Sequence, residues 1–218
     1  MDVATCETSI AVLGEDSAEK YLGRKHAFKD SIQVEVANRV AAAWAAFHKH
    51  KQELCCKHYR LQDRRRLFDA TVTPTLLCGC AAWALTGHLE RDLKVQRRRM
   101  LRYVFRLHRQ LDETWVDYVQ RSAHQADELG SQHCMKDWIA EARRRKWRFA
   151  GQLARRTDNR WSSVLISWNP SWGPGRSKGR PRTRWSDTVE KYAGGNWQEI
   201  ALNDSHWAVL EEGFASLT

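Results

Sequence analysis

The chain has 218 residues and is 42% hydrophobic, with 11 Trp, 6 Phe and 5 Tyr, enough apolar surface for a packed core and too much for wholesale disorder. Its formal net charge of +10 points to an anionic partner. No apolar run approaches the roughly 20 residues of a membrane span and no secretory signal leads the sequence, so a soluble, intracellular protein without small-molecule substrate or membrane contact is expected.

In chain order, Ser9–Gly14 (SIAVLG) reads as a strand, EDSAE as a turn and Lys20–Gly23 as a short return strand. Asp30 with Gln33 resembles a capping box, opening a helix through Ile32, Val36, Val40, Ala43 and Phe47 to about Cys56. A second helix begins near Leu61 and carries Leu67, Phe68 and Val72 up to Pro74, where a buried apolar stretch to Leu85 restarts the helix. Thr86 caps a third helix with Leu89, Leu93, Met100, Val104 and Leu107 on one face. A shorter helix follows from Asp112, with Trp115 and Val119 inward. Another runs from about Cys134 to Arg155 with Trp138, Ile139, Ala142, Phe149, Ala150 and Leu153 inward. Residues 169–182 hold three of the four prolines and read as a linker or arm. Asp187 with Glu190 opens a helix through Tyr192, and a final helix covers Ser205–Phe214.

Charge is clustered. Between Ala140 and Trp185 thirteen basic residues face two acids, Glu141 and Asp158, and a second block from Arg91 to Arg109 has Asp92 as its sole acid. Arg dominates both blocks, as suits bidentate phosphate contact and stacking. The bland reading of Arg143–Arg148 is a solvated helix face; with Arg155, Arg156 and Arg160 close by, phosphate contact is the stronger one. Trp44, Trp83, Trp115 and Trp138 fall at helical spacing and read as core. Trp161, Trp168, Trp172 and Trp185 lie among arginines, where they either stack on bases or pin loops to a small core.

The residue patterns that carry catalysis are missing. There is no Asp-Asp pair for two-metal chemistry, no phosphate-binding Gly-rich loop and no zinc-hydrolase arrangement. The six cysteines form no C-x-x-C pair. The expectation is a chain with no catalytic residues, no metal site and no cofactor.

Taken in order, KYLGR (20–24), RVAAAWAAFHK (39–49), LFDATVTPTLLCGCAAWALT (67–86), RRKWRFAGQLARRTDNRW (144–161), GRPRTRWSD (179–187) and NWQEIALNDSHWAVLEEGF (196–214) resemble the C-terminal part of the reverse transcriptase of LINE-type (non-LTR) retrotransposons. The resemblance covers nearly the whole chain. It implies the end of the palm, the thumb that holds the template–primer duplex, and the post-thumb extension. The palm's two catalytic Asp would precede Met1, so the chain alone would be no enzyme, and the Mg of an intact polymerase would belong to a palm supplied elsewhere. Where the family commonly shows Leu-x-Tyr-Gly-x-Glu-x-Trp, Leu76, Cys78, Gly79, Ala81 and Trp83 stand, which suggests relaxed constraint.

The expected fold is therefore mainly α: a helical thumb-like bundle with a short N-terminal β-hairpin and a Trp/Arg-rich helical C-terminal extension. Its parts are an end-of-palm hairpin (1–29), the bundle (30–110), a basic helical extension (111–168), a Pro/Gly/Arg arm (169–185) and C-terminal helices (186–218). The expected partners are RNA, DNA or an RNA–DNA hybrid, and a missing palm domain, in the nucleus or a cytoplasmic ribonucleoprotein. Candidate contacts are Arg97, Arg98, Arg102, Arg144, Arg145, Lys146, Arg148, Arg155, Arg156, Arg160, Trp161, Lys178, Arg180, Arg182 and Arg184. The Arg-Pro arm reads as a phosphate-contacting loop rather than a minor-groove hook. The alternative is a decayed or domesticated helical module that makes protein contacts.

Overall fold

The computed structural model describes residues 14, 17–27, 30–158, 161, 164, 166 and 183–217; the expected strand at 9–13 and the arm at 169–182 lie outside them. Strands β1 (Ala18–Tyr21) and β2 (Arg24–Ala27) pair antiparallel, Tyr21 opposite Arg24. Their turn falls at Leu22–Gly23, both at positive φ (48° and 80°), so Lys20–Tyr21 end the first strand rather than begin the second; the turn expected at EDSAE lies partly outside the described residues. A two-residue turn with both φ positive matches strand twist, and Gly23 supplies one position without strain. An isolated hairpin is marginal in water. This one is held by helix α1 (Ser31–Lys49): Glu35 accepts the Lys25 N–H at 2.6 Å, and Arg39 donates to Glu35 at 2.8 Å and to the Gly23 carbonyl at 2.8 Å. Both side chains are buried. Burial works to raise the Glu35 pKa, but the Arg39, Lys25 and Asn38 hydrogen bonds bring it below the usual carboxylate value.

The remaining helices of the first core follow in order: α2 (Lys51–Cys55), α3 (Leu61–Leu76), a 3-10 turn at Cys80–Ala82, and α4 (Gly87–Val104). The expected first helix breaks at His50. Asp30 does not cap it, having φ 49° and no side-chain cap bond. Helix α3 passes through Pro74 instead of ending there. With two helical residues left, the missing N–H and ring clash disturb only the last turn, and the Thr71 and Thr75 hydroxyls donate to carbonyls four residues back at 2.7 Å. The core joins Val36, Phe47, Phe68, Leu76, Leu93 and Met100 with Trp138, which stacks on Phe68 at 6.1 Å and donates to the Thr73 hydroxyl at 3.2 Å. Each large apolar side chain buried here contributes about 1.5–3 kcal/mol.

Helix α5 (Trp115–Gln132) is capped by Thr114, whose hydroxyl accepts the Asp117 N–H at 3.2 Å. It buries Ser122, Ala126 and Gly130, three small residues at i, i+4 and i+8 that let it lie close to α4. A start at Trp115 rather than Asp112 puts this indole in the first turn, 64% exposed, so it is not the core residue expected.

Helix α6 (Trp138–Ala154), capped by Asp137 through the N–H groups of Ile139 and Ala140, serves two cores. Its first turns enter the core above; Trp147 and Ala150 enter a second one with Val189, Trp197, Ala201, Trp207 and Phe214. That second core is built from α7 (Asp187–Ala193), α8 (Trp197–Leu202), α9 (Asp204–Val209) and α10 (Glu211–Ala215). The helix expected at 205–214 is thus two short ones meeting at Leu210. Asp187 is the first residue of α7 rather than its cap, and its carboxylate accepts the Arg184 N–H at 2.7 Å.

The centre of this core is a reciprocal pair. Trp147 and Trp207 stack at 3.7 Å with planes 5° apart, and each indole N–H donates to the other's carbonyl, at 2.8 and 2.9 Å. Two buried indole donors are satisfied at once, as buried polar groups must be. Gly151 makes the approach possible: a Cβ there would lie 2.6 Å from Trp207 Nε1. Gly151→Ala is therefore expected to overpack the site and destabilise the protein by about 1–3 kcal/mol, measurable as a lower midpoint in urea. Gly87→Ala, where a Cβ meets nothing within 4 Å, should leave the midpoint in place.

Candidate nucleic-acid interface

The arginines of α6 were candidates for phosphate contact, and the fold surrounds most of them with acids from elsewhere. Arg143 grips Glu90 through two contacts at 2.8 and 2.9 Å and also donates to the Leu217 carbonyl. Arg144 grips Glu212 at 2.8 and 2.9 Å. Arg145 bonds Glu141 at 3.0 Å and the Leu77 carbonyl at 3.1 Å, and Arg148 pairs with Glu211 at 2.8 Å. Arg155 reaches the Ala201 carbonyl at 2.7 Å and Asp204 at 2.8 Å. The Glu212 and Glu211 hydrogen bonds raise the pKa values of Arg144 and Arg148. These pairs clamp α9 and α10 onto α6. Their exposed members each add little to stability, but together they leave less of the run's positive charge free.

Lys146 is buried, and its ammonium donates to the Thr188 hydroxyl at 2.8 Å. It lines a cavity of about 340 Å³ with Trp83, Arg143, Tyr192 and Phe214. Burial pulls its pKa down to about 8, against the pull of Asp187 and Glu90. Cys80, in the same wall, is pushed up to about 11 by burial.

Helix α4 separates its cations cleanly. Arg97 lies on the apolar stripe with Leu93 and Met100, is buried, and donates to the carbonyls of Lys136 and Met135 at 3.1 and 3.2 Å; burial lowers its pKa. Arg98 pairs with Asp127 at 2.8 Å, and half-buried Arg102 donates to the Val119 carbonyl at 3.2 Å. At 100° per residue, Arg91, Val95, Arg99 and Arg102 fall opposite the buried stripe, with Lys94 to one side; Arg106 follows the helix end at φ 57°. Arg91, Lys94, Arg99 and Arg106 are exposed, and among the described residues no carboxylate oxygen stands within 4.0 Å of their charged groups. The helical period carried this signal: Arg97 is four residues after Leu93, and the outward set is half a turn away.

Of the other candidates, Arg156 and Arg184 are exposed, and Trp161 is 78% exposed. Arg160, Lys178, Arg180 and Arg182 lie outside the described residues. Trp185 is half-buried and donates from its indole to the Ala81 carbonyl at 2.7 Å, so it pins the segment before α7 against the 3-10 turn. Among the described residues no group of three His, Cys, Asp or Glu could hold a metal ion, and no helix is long and apolar enough to cross a membrane.

This mainly helical chain, with two cores strung on one helix and an arginine-faced α4, is similar to an uncharacterized transposon-derived protein of Caenorhabditis elegans. The two are 30% identical over 202 residues, which cover 87% of this chain and 68% of the relative. The chain belongs to that transposon-derived family. No family model and no solved structure matches it.

Lys146 yields a pH-dependent outcome. Its folded pKa, about 8, lies below the ordinary 10.5, so between those values the unfolded chain binds more protons and stability rises with pH. Cys80, raised from 9.0 to about 11, acts oppositely, losing stability as pH climbs through that range. Lys146→Met should remove the first effect alone: relative to wild type, the variant's stability should fall between pH 8 and 10.5, by on the order of 3 kcal/mol. Urea unfolding of both proteins at pH 7, 8.5 and 10 measures the difference.

Proposed function

We propose that the chain is a non-catalytic nucleic-acid-binding segment from the C-terminal part of a LINE-like reverse transcriptase, comprising thumb and post-thumb extension. It holds template RNA or an RNA–DNA duplex through phosphates. The order of the resembling segments and the transposon-derived relative support the origin. The observation that carries the binding is the outer side and end of α4, where Arg91, Lys94, Arg99 and, just past the helix, Arg106 are exposed and, among the described residues, have no carboxylate within 4.0 Å. Solvated cationic groups without a carboxylate partner can exchange counterions for phosphates with little rearrangement, whereas Arg144, Arg148 and Arg155 must first release Glu212, Glu211 and Asp204.

Anisotropy with labelled single-stranded RNA, duplex DNA and an RNA–DNA hybrid, over a series of salt concentrations, tests this. Wild type should bind with log K falling linearly in log salt. The combined Arg91→Ala, Lys94→Ala, Arg99→Ala, Arg106→Ala variant should flatten the slope by about 0.7–0.9 for each phosphate that is no longer neutralised, at unchanged thermal midpoint. The Arg144→Ala, Arg148→Ala, Arg155→Ala variant should instead lower the thermal midpoint, because it unclamps α9 and α10. Wild-type protein that is folded by circular dichroism yet binds none of the three at low salt would overturn the proposal, leaving the protein-contact module as the reading.

A further inference from the structure

The connection from α4 to α5 is unusually well fixed for a segment that buries so little. Helix α4 ends at a left-handed Arg106 (φ 57°), with the Leu107 N–H on the Arg102 carbonyl at 2.9 Å and the Arg106 N–H on the Tyr103 carbonyl at 3.2 Å, the paired bonds of a Schellman motif. Arg121 then grips Glu113 at 2.6 and 2.7 Å and the His108 carbonyl at 3.0 Å, while Arg109 donates to the Glu113 carbonyl at 2.8 Å. Tyr118 is locked by its hydroxyl on the Leu107 carbonyl at 3.0 Å, and the guanidinium carbons of Arg102 and Arg121 stand 5.7 and 5.8 Å from its ring centre. This framework presents Trp115 to solvent, flanked by Leu111 and Val116, which are also exposed. Its indole is 64% exposed, its centre 5.5 Å from that of Tyr118.

A large indole held outward by a rigid polar frame fills no part of either core. Through Tyr118 and Arg102 it joins the cationic outer face of α4. Of the nearby acids, Glu113 is paired with Arg121, while exposed Asp112 and Asp117, the latter accepting from the Thr114 hydroxyl at 2.6 Å, keep their charge beside Arg102, Arg109 and Arg121. An apolar protein partner would gain little from a rim of arginines. A polyanion whose units also carry flat aromatic faces uses both features at once.

Resting on the nucleic-acid reading above, we infer that Trp115 is a base-stacking platform for single-stranded nucleic acid whose phosphates run along the arginines of α4. A base stacks on the exposed indole, and Arg102 and Tyr118 hold the platform in place. Because bases in a duplex are already stacked on one another, the site selects single strands or unpaired ends.

The test uses the full chain with labelled oligo-U RNA, oligo-dT DNA and a blunt DNA duplex. Trp115→Ala should weaken single-strand binding roughly 5- to 150-fold, leaving the salt slope, the duplex affinity and the thermal midpoint unchanged. Trp115→Phe should recover most of the loss. In protein labelled with 5-fluorotryptophan, the fluorine resonance that disappears in Trp115→Phe should shift on adding oligonucleotide, and comparing the RNA and DNA arms shows which strand is preferred. If wild type binds with the expected salt slope but Trp115→Ala binds single strands equally well and that resonance does not move, the stacking inference falls and the phosphate-binding proposal stands. If Trp115→Ala weakens duplex and single strand alike together with the thermal midpoint, Trp115 is structural and the inference falls. Concentration-dependent self-association that Trp115→Ala abolishes, with unaltered strand binding, would overturn it in favour of a protein interface. If wild type binds no nucleic acid, both readings fall together.

Discussion

Everything beyond Met135 depends on one helix having to satisfy two cores. Helix α6 gives Trp138, Ile139 and Ala142 to the first and Trp147 and Ala150 to the second, so the C-terminal helices are anchored to the bundle through a continuous backbone. The reciprocal Trp147–Trp207 pair is the tightest constraint in that arrangement. Two aromatic faces at 3.7 Å, with each N–H on the other's carbonyl, admit one relative placement of α6 and α9, and Gly151 is the opening through which it is reached. The short helices α8, α9 and α10, too short to be stable alone, take their order from it.

The arginines then divide by geometry. On α6 they meet Glu90, Glu141, Asp204, Glu211 and Glu212 and bind the molecule to itself. On α4 the inward one, Arg97, bonds backbone carbonyls of the α5–α6 connection, while the outward ones meet solvent. The clustered arginines of the sequence are therefore not equivalent in the fold: those of α6 are largely committed to contacts within the protein, and Arg91 and Arg99 of α4 are open to solvent.

At the other end, Glu35 and Arg39 show a buried ion pair with a positional role. Such pairs add little net stability, but these two groups reach the hairpin backbone at Lys25 and Gly23 and fix its orientation on α1. The hairpin's outer strand β1 stays exposed along its length.

The sequence by itself determined the helical class, the caps at Thr86 and the stripes of α1, α4 and the first half of α6, because those rest on local bonds and a 3.6-residue period. A hairpin was legible, but not its register: the strands pair across Leu22–Gly23, where α1 holds them through Glu35 and Arg39. The order of segments also carried the transposon kinship. Tertiary structure alone decided the fate of the charges: a window count of thirteen bases against two acids cannot know that Glu90, Asp204, Glu211 and Glu212 return to meet them from distant segments. It likewise decided the fate of the tryptophans. Spacing put Trp115 inside, but a cap at Thr114 turned it out, and only the meeting of α6 with α9 explains why a Trp is followed four residues later by Gly151. Local pattern specifies which faces are apolar; what covers each face, and which cation is left uncovered, follows from contacts between residues dozens of positions apart.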